Sequence, residues 1–126
     1  VILLGDLNSE HPAGQIAGEM QFLVEGSCAG DRPKMVDLLT EAPIAARRTH
    51  LILERQFDRI LVSQSMLVDD PQSRDWVFTK ITVRPDLSMR GAGNDGEAHW
   101  SERLTMSTDE LDVSDHAPVV ATFELR

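Results

Sequence analysis

The sequence predicts a mixed α/β domain of the α+β kind, in which a mostly antiparallel sheet is flanked by helices. Three observations lead to this fold class. The chain opens with a continuous apolar run, its middle and C-terminal parts alternate apolar and polar residues with a period of two, and residues 12–25 place apolar residues at helical spacing. With 126 residues, the chain has the length of one ordinary domain.

The N-terminal third is predicted to form one strand and two helical segments. Residues 1–4, closed by Gly5, are expected to form a strand that is buried on both faces, because the run is continuously apolar. Residues 12–25 predict a helix. Its apolar face would hold Ala13, Ile16, Met20 and Leu23. Residues 35–41 predict a short helix that ends before Pro43.

A β-hairpin is predicted in the middle of the chain. Residues 49–53 and 57–63 both alternate with a period of two, and a short polar break separates them. His50 lies out of phase with Leu51 and Leu53, which predicts an exposed or partly buried histidine on a strand.

Two more strands are predicted downstream, over residues 76–84 and residues 117–125. The second is amphipathic, because alternate residues from Val119 to Leu125 are apolar. Between them, residues 86–114 contain three glycines and only one strong apolar cluster, which predicts a long acidic insertion. Two readings of this insertion stay open, a solvated surface excursion and a functional loop.

Composition excludes several classes of protein. Hydrophobic residues make up 41% of the chain and charged residues 26%, which is near the globular average and argues against wholesale disorder. The chain shows no signal-peptide pattern and no apolar run long enough to span a membrane, and the compartment stays unknown. A single cysteine, Cys28, excludes an internal disulfide and a cysteine-rich zinc site.

The charge of the chain bears on its substrates. The net charge is −9, from 21 acidic residues against 12 lysines and arginines, and a surface of this sign repels polyphosphate backbones unless a metal ion or another chain intervenes. Residues 86–114 carry seven acidic residues and two arginines and lead into Asp115. An acidic rim there disfavours tracking of a long duplex and favours small phosphoesters or short ends.

Three polar motifs stand at the ends of predicted strands. Asp6 and Asn8 follow the first apolar run, Asp58 lies in phase with the apolar residues of its strand, and Asp115 and His116 precede the last strand. Together they supply what phosphoester hydrolysis requires. Carboxylates can hold a divalent cation or orient a water molecule, and a histidine can donate to phosphate oxygens. A second carboxylate on the other ring nitrogen would fix the tautomer of that histidine.

The segments that carry these motifs resemble a known superfamily. VILLGDLN (1–8), QFDRILVS (56–63) and VSDHAPVVATFEL (113–125), in that order, resemble the endonuclease/exonuclease/phosphatase superfamily, with its deoxyribonuclease I-like and exonuclease III-like fold. That fold also hosts sphingomyelinases and inositol-phosphate phosphatases. The resemblance implies a metal-dependent phosphoesterase that cleaves a phosphodiester, with nucleic acid as the first expected substrate and a lipid or small-molecule phosphoester as the alternative.

The resemblance also implies a role for each motif residue. Asp6 would orient the attacking water or act as general base or acid, and Asn8 would hydrogen-bond the scissile phosphate or assist with metal. Asp58 would pair with His116, which would contact the phosphate in the transition state. Asp115 and Asp6 would be the metal-site carboxylates, holding Mg²⁺ with Mn²⁺ as a substitute.

The chain departs from the family in length and in one metal ligand. Family domains are roughly double this length and pack two sheets face to face, as a four-layer α/β/β/α sandwich. Their principal metal-binding glutamate precedes the GDLN strand and cannot be placed here. Residues 1–126 are therefore expected to be the C-terminal half of one such domain, with the N-terminal half as partner. A non-catalytic remnant or binding module that keeps the fold is the alternative.

Overall fold

The computed structural model describes residues 1–8, 18–21, 23–24, 34–88, 105, 107, 109 and 113–126. The strands in this part of the chain are β1 (Ile2–Asp6), β2 (Met35–Asp37), β3 (Asp58–Ser63), β4 (Trp76–Val83) and β5 (Val119–Leu125). Short 3₁₀ helices accompany them, at Gly18–Met20, Leu38–Glu41, Ile44–Ala46, Gln64–Met66 and Pro85–Leu87. The chain therefore has a mixed, strand-rich architecture with few helices.

The strands form two antiparallel sheets. In the first sheet β3 lies between β1 and β2, and in the second sheet β4 pairs with β5. The register of β1 against β3 places Asp6 directly opposite Asp58 and Gly5 opposite Arg59. Both sheets agree with the predicted, mostly antiparallel pairing.

One hydrophobic core joins the two sheets. Its buried members are Leu38, Leu39, Ile60, Val62 and Ile81. Phe78 of β4 and Phe123 of β5 pack against this core with their rings edge to face, 5.9 Å apart. A second, smaller core lies on the other face of β3, where Leu61 packs with Met20. Because both of its faces are covered, β3 is the central strand of the fold.

A buried ion pair lies on the face of β3 opposite Asp58. The guanidinium of Arg59 contacts the carboxylate of Asp37, and the two side chains are only 3% and 4% exposed. The same carboxylate accepts hydrogen bonds from Gln56 Nε2 and from the backbone N–H of Leu39, both at 3.0 Å, and so caps the helix Leu38–Glu41. These contacts supply the pairing that a buried charge requires.

Strand β1 is a strand as predicted, but the prediction that it is buried on both faces is wrong. Ile2, Leu3 and Leu4 are exposed, and Leu4 retains 66% of its accessible surface. The reason is the position of β1 at the edge of the three-stranded sheet, where it pairs with β3. A continuous apolar run does not distinguish a central strand from an apolar edge strand.

Two predictions of local structure are also wrong. The predicted helix over residues 35–41 is divided into strand β2 and a 3₁₀ helix, because the first three of these residues pair with β3. The predicted hairpin strand over residues 49–53 is a turn instead. His50 and Arg55 form a β-bridge that closes this turn, and Glu54 inside it has a positive φ of 52°.

The remaining strand predictions are confirmed, with β3, β4 and β5 lying within residues 57–63, 76–84 and 117–125. The predicted helix over residues 12–25 and the insertion over residues 86–114 lie largely outside the described residues. Within the described part of the chain, no helix combines the length and the apolar character that crossing a membrane requires.

Gly5 adopts a backbone conformation that other residues rarely take, with φ of 148°. We expect Gly5→Ala to lower the free energy of unfolding by about 1–2 kcal/mol because of this conformation. Crowding would add nothing, since a Cβ at Gly5 would meet no atom within 4 Å. Gly18 is the matched control, because it has the same open space without a positive φ, and Gly18→Ala should not destabilise the fold. Urea unfolding compares the two variants, and equal losses would contradict the prediction.

Candidate active site

The predicted motif residues Asp6, Asp58 and His116 lie together where β1 ends and β3 begins. His116 Nδ1 is 2.7 Å from Asp58 Oδ2, a hydrogen-bond distance. His116 Nε2 is 4.0 Å from Asp6 Oδ2, on the other side of the ring. The imidazole is therefore placed between two carboxylates that come from two different strands.

Backbone hydrogen bonds from one short segment set the position of His116. The backbone N–H of Ala117 donates to the Thr49 carbonyl at 2.7 Å, and that of Leu51 donates to the Asp115 carbonyl at 2.8 Å. Buried Thr49 also accepts, through Oγ1, from the backbone N–H of Asp58 at 2.9 Å. The separation of Asp58 and His116 is thus fixed by Thr49 and its neighbours.

Ser88 supports the same histidine from the other side. Its side chain is buried, and its hydroxyl donates to the carbonyl oxygen of His116 at 2.6 Å. Its own carbonyl accepts from the backbone N–H of Val113 at 2.8 Å. The backbones of Ser88 and Val113 therefore meet beside His116.

Asn8 reaches the site through its backbone. Its N–H donates to Asp6 Oδ1 at 2.8 Å, and its φ is 47°, a conformation that asparagine tolerates better than most residues. The backbone N–H of Leu7 donates to the carbonyl of Phe57 at 3.0 Å, which extends the contact between the two strands beyond Asp6. This turn orients the Asp6 carboxylate, and the side chain of Asn8 is exposed.

Asp115 lies beside His50, and the predicted environment of this histidine is wrong. His50 is buried, and its Nε2 is 3.6 Å from Asp115 Oδ2. Its ring centroid is 4.9 Å from that of His116 and 5.1 Å from that of Phe57. The prediction of a strand histidine failed because the segment turns and bridges to His116. Burial lowers the pKa of His50, an effect that the nearby Asp115 carboxylate partly opposes.

In the described part of the chain, two groups of side chains have the spacing of a metal site. One contains Asp6, Asp58 and His116 and the other contains His50, Asp115 and His116, with ligand atoms within 4.8 Å of one another in each group. Among the described residues, no such group contains both predicted metal carboxylates, Asp6 and Asp115. Mg²⁺ prefers oxygen ligands and needs only one or two protein carboxylates when phosphate and water supply the rest. The half-exposed carboxylates of Asp6 and Asp115 each fit that requirement.

A cleft of about 440 Å³ gives access to the Asp58–His116 pair. Its volume lies in the range of small-ligand sites, about 300–1,000 Å³. Apolar side chains such as Leu4, Leu87 and Val119 form much of its wall. The pair is therefore accessible from one side and supported by the fold on the other.

Comparisons of the chain with protein-family models, with curated proteins and with solved structures find no match. The resemblance to the endonuclease/exonuclease/phosphatase superfamily therefore rests on the three motifs and their order along the chain.

Proposed function

We propose that this chain carries catalytic residues of a metal-dependent phosphoesterase, a hydrolase that cleaves phosphodiesters by attack of water. The observation that carries the proposal is the contact between His116 Nδ1 and Asp58 Oδ2 at 2.7 Å, with Asp6 on the other side of the ring. A histidine oriented by one carboxylate and facing another suits proton transfer and stabilisation of a charged phosphate.

In the proposed mechanism His116 contacts the phosphate, and the neighbouring polar residues orient the ring or the substrate. Asp58 accepts the Nδ1–H of His116 and so orients the ring and leaves Nε2 to face the substrate. Protonated at Nε2, His116 donates to a non-bridging phosphate oxygen. Asp6 accepts a proton from the water that attacks phosphorus, and Asn8 hydrogen-bonds the phosphate. The bond from phosphorus to the leaving oxygen breaks as the new bond forms, and the leaving oxygen takes its proton from solvent. Mg²⁺, held by Asp6 or Asp115 with Mn²⁺ as a substitute, would neutralise phosphate charge and polarise the phosphoryl group.

A phosphodiester is the proposed substrate class, with nucleic acid as the first candidate and a lipid or small-molecule phosphoester as the alternative. Three carboxylates, Asp6, Asp58 and Asp115, lie around His116 and would repel an anionic substrate. A bound cation would offset this repulsion, which supports the proposed metal dependence.

We also propose that residues 1–126 form the C-terminal half of one four-layer α/β/β/α sandwich. The exposed apolar side chains of the edge strand β1 support this proposal. Ile2 and Leu4 lie on the same face of the sheet, and exposed apolar side chains on one face favour packing against another layer, which would cover them.

The test is hydrolysis of a chromogenic phosphodiester with Mg²⁺ or Mn²⁺, with and without a chelator. It is run on residues 1–126 and on a chain extended upstream. We expect chelator-sensitive turnover in the extended chain and a loss of about 10²–10⁴-fold in kcat/KM for His116→Ala. Circular dichroism would show that the variant keeps its secondary structure.

Each outcome of this assay decides between the alternatives. Turnover by residues 1–126 without the upstream extension, lost in His116→Ala, would contradict the half-domain proposal and support the proposed phosphoesterase activity. Turnover by the extended chain alone would support both proposals. Failure of both chains to turn over any phosphodiester would favour the non-catalytic binding module. Parallel assays with an oligonucleotide and a phospholipid would then distinguish the substrate classes.

A further inference from the structure

His50 has a defined tautomer because one of its ring nitrogens faces a fixed donor. The backbone N–H of Leu53 donates to His50 Nδ1 at 3.0 Å. A backbone amide can only donate through nitrogen, so Nδ1 must carry a lone pair. The single proton of the neutral ring is therefore on Nε2.

The Nε2–H of His50 faces Asp115. The distance from Nε2 to Asp115 Oδ2 is 3.6 Å, longer than a hydrogen bond, and the Asp115 side chain is 39% exposed while that of His50 is 10% exposed. Phe57 packs against the His50 ring from the side, with centroids 5.1 Å apart. The donor is thus held in place, and the carboxylate is the partner free to adjust, as contacts in unliganded sites often tighten when ligand binds.

The same tautomer argues against His50 as a metal ligand, although its spacing to Asp115 and His116 would allow one. A metal on Nε2 would move the ring proton to Nδ1, where it would oppose the Leu53 N–H at 3.0 Å. A metal on Nδ1 would displace that hydrogen bond. His116 differs, because its Nδ1 can donate to Asp58 and leave the Nε2 lone pair free.

We propose that His50 is a positioning residue that donates from Nε2 to Asp115 and does not itself bind the metal. That an oriented Asp115 carboxylate helps to bind metal rests on the proposed function. The tautomer of His50 does not rest on it. The two claims can therefore fail separately.

The first test measures the tautomer in the full chain by long-range ¹H–¹⁵N NMR of the histidine rings. We expect His50 to show a protonated Nε2 and an unprotonated Nδ1, unchanged by Mg²⁺ or by Zn²⁺, which binds imidazole more readily. A protonated Nδ1, or a shift that shows Zn²⁺ bound to the His50 ring, would overturn the inference.

The second test uses two variants, each of which keeps the hydrogen-bonding function of one ring nitrogen. His50→Gln places an amide donor near the position of Nε2, whereas His50→Asn keeps an acceptor near Nδ1 for Leu53. We expect calorimetry to show near-normal Mg²⁺ affinity for His50→Gln and a loss of about 10–100-fold for His50→Asn.

A merely structural role for His50 predicts the opposite order, because asparagine preserves the turn through the hydrogen bond to Leu53. Stronger Mg²⁺ binding by His50→Asn than by His50→Gln would therefore overturn the positioning role. Thermal unfolding of both variants shows which one better preserves the turn. Failure of both residues 1–126 and the chain extended upstream to bind Mg²⁺ would contradict the proposed function, while the NMR result would still decide the tautomer.

Discussion

Replacing Asp37 by asparagine is expected to lower the free energy of unfolding by about 3–5 kcal/mol. The change leaves the guanidinium of Arg59, only 3% exposed, beside a neutral amide. Asparagine caps helices about as well as aspartate, so the hydrogen bond from the Leu39 N–H to Oδ1 is kept. The loss therefore reports on the two contacts of Oδ2, the ion pair with Arg59 and the hydrogen bond from Gln56. Because domains are stable by only about 5–15 kcal/mol, urea unfolding would show a large shift of the midpoint.

The control for this prediction is the exposed ion pair of Arg84 and Asp86, whose closest atoms are 2.6 Å apart. Asp86→Asn should leave the unfolding midpoint unchanged, since solvent screens exposed pairs. The double replacement Asp37→Leu with Arg59→Met should recover part of the loss, because neither charge then remains buried. An unchanged midpoint for Asp37→Asn would refute the stabilising role of the buried pair.

Replacing Asp58 by asparagine is expected to lower kcat/KM for phosphodiester hydrolysis by about 10²–10⁴-fold. The amide can donate to His116 Nδ1, which would favour the tautomer with the proton on Nε2 and remove the negative partner of the protonated ring. The backbone hydrogen bond from Asp58 to Thr49 Oγ1 does not involve the altered side chain, so the fold should persist. The assay uses whichever chain shows metal-dependent turnover.

Glu124→Gln is the matched control for Asp58→Asn, because it makes the same change at an exposed carboxylate of β5, whose ion pair is with Arg126. It should leave kcat/KM unaltered. NMR of the His116 ring adds an independent measurement, since its tautomer should change in Asp58→Asn alone. Full activity of Asp58→Asn with an altered tautomer would show that the orientation of His116 does not limit the reaction.

The longer strands could be predicted from sequence, because their alternation reflects a buried and an exposed face. Strand β5 shows this directly, with Val119, Ala121 and Phe123 packed on the core. Strand β2 could not, because its three residues are held by pairing with β3, far away in the chain. The prediction of a strand over residues 49–53 was also wrong. The period of two there was fortuitous, and the β-bridge between His50 and His116, far apart in the chain, determines the conformation.

The candidate site was predictable to the extent that its residues stand in recognisable motifs. The proximity of Asp6, Asp58 and His116 was implied by the resemblance of the three motifs to the superfamily and not by periodicity. His50 gave no such signal, because its place depends on backbone contacts of the Thr49 segment with residues 115–117. Outside the site, the buried pair of Arg59 and Asp37 did have a signal in the sequence, because an arginine inside an apolar strand needs a buried partner.

The meeting of Ser88 and Val113 has a consequence for how this chain can vary. The hydroxyl of Ser88 donates to the carbonyl of His116, and the carbonyl of Ser88 accepts from the backbone N–H of Val113. For a flexible loop, each doubling of length adds only about 0.6 kcal/mol of closure entropy. An insertion between Ser88 and Val113 should therefore have little effect on the position of His116, provided that the hydrogen bonds of Ser88 are kept.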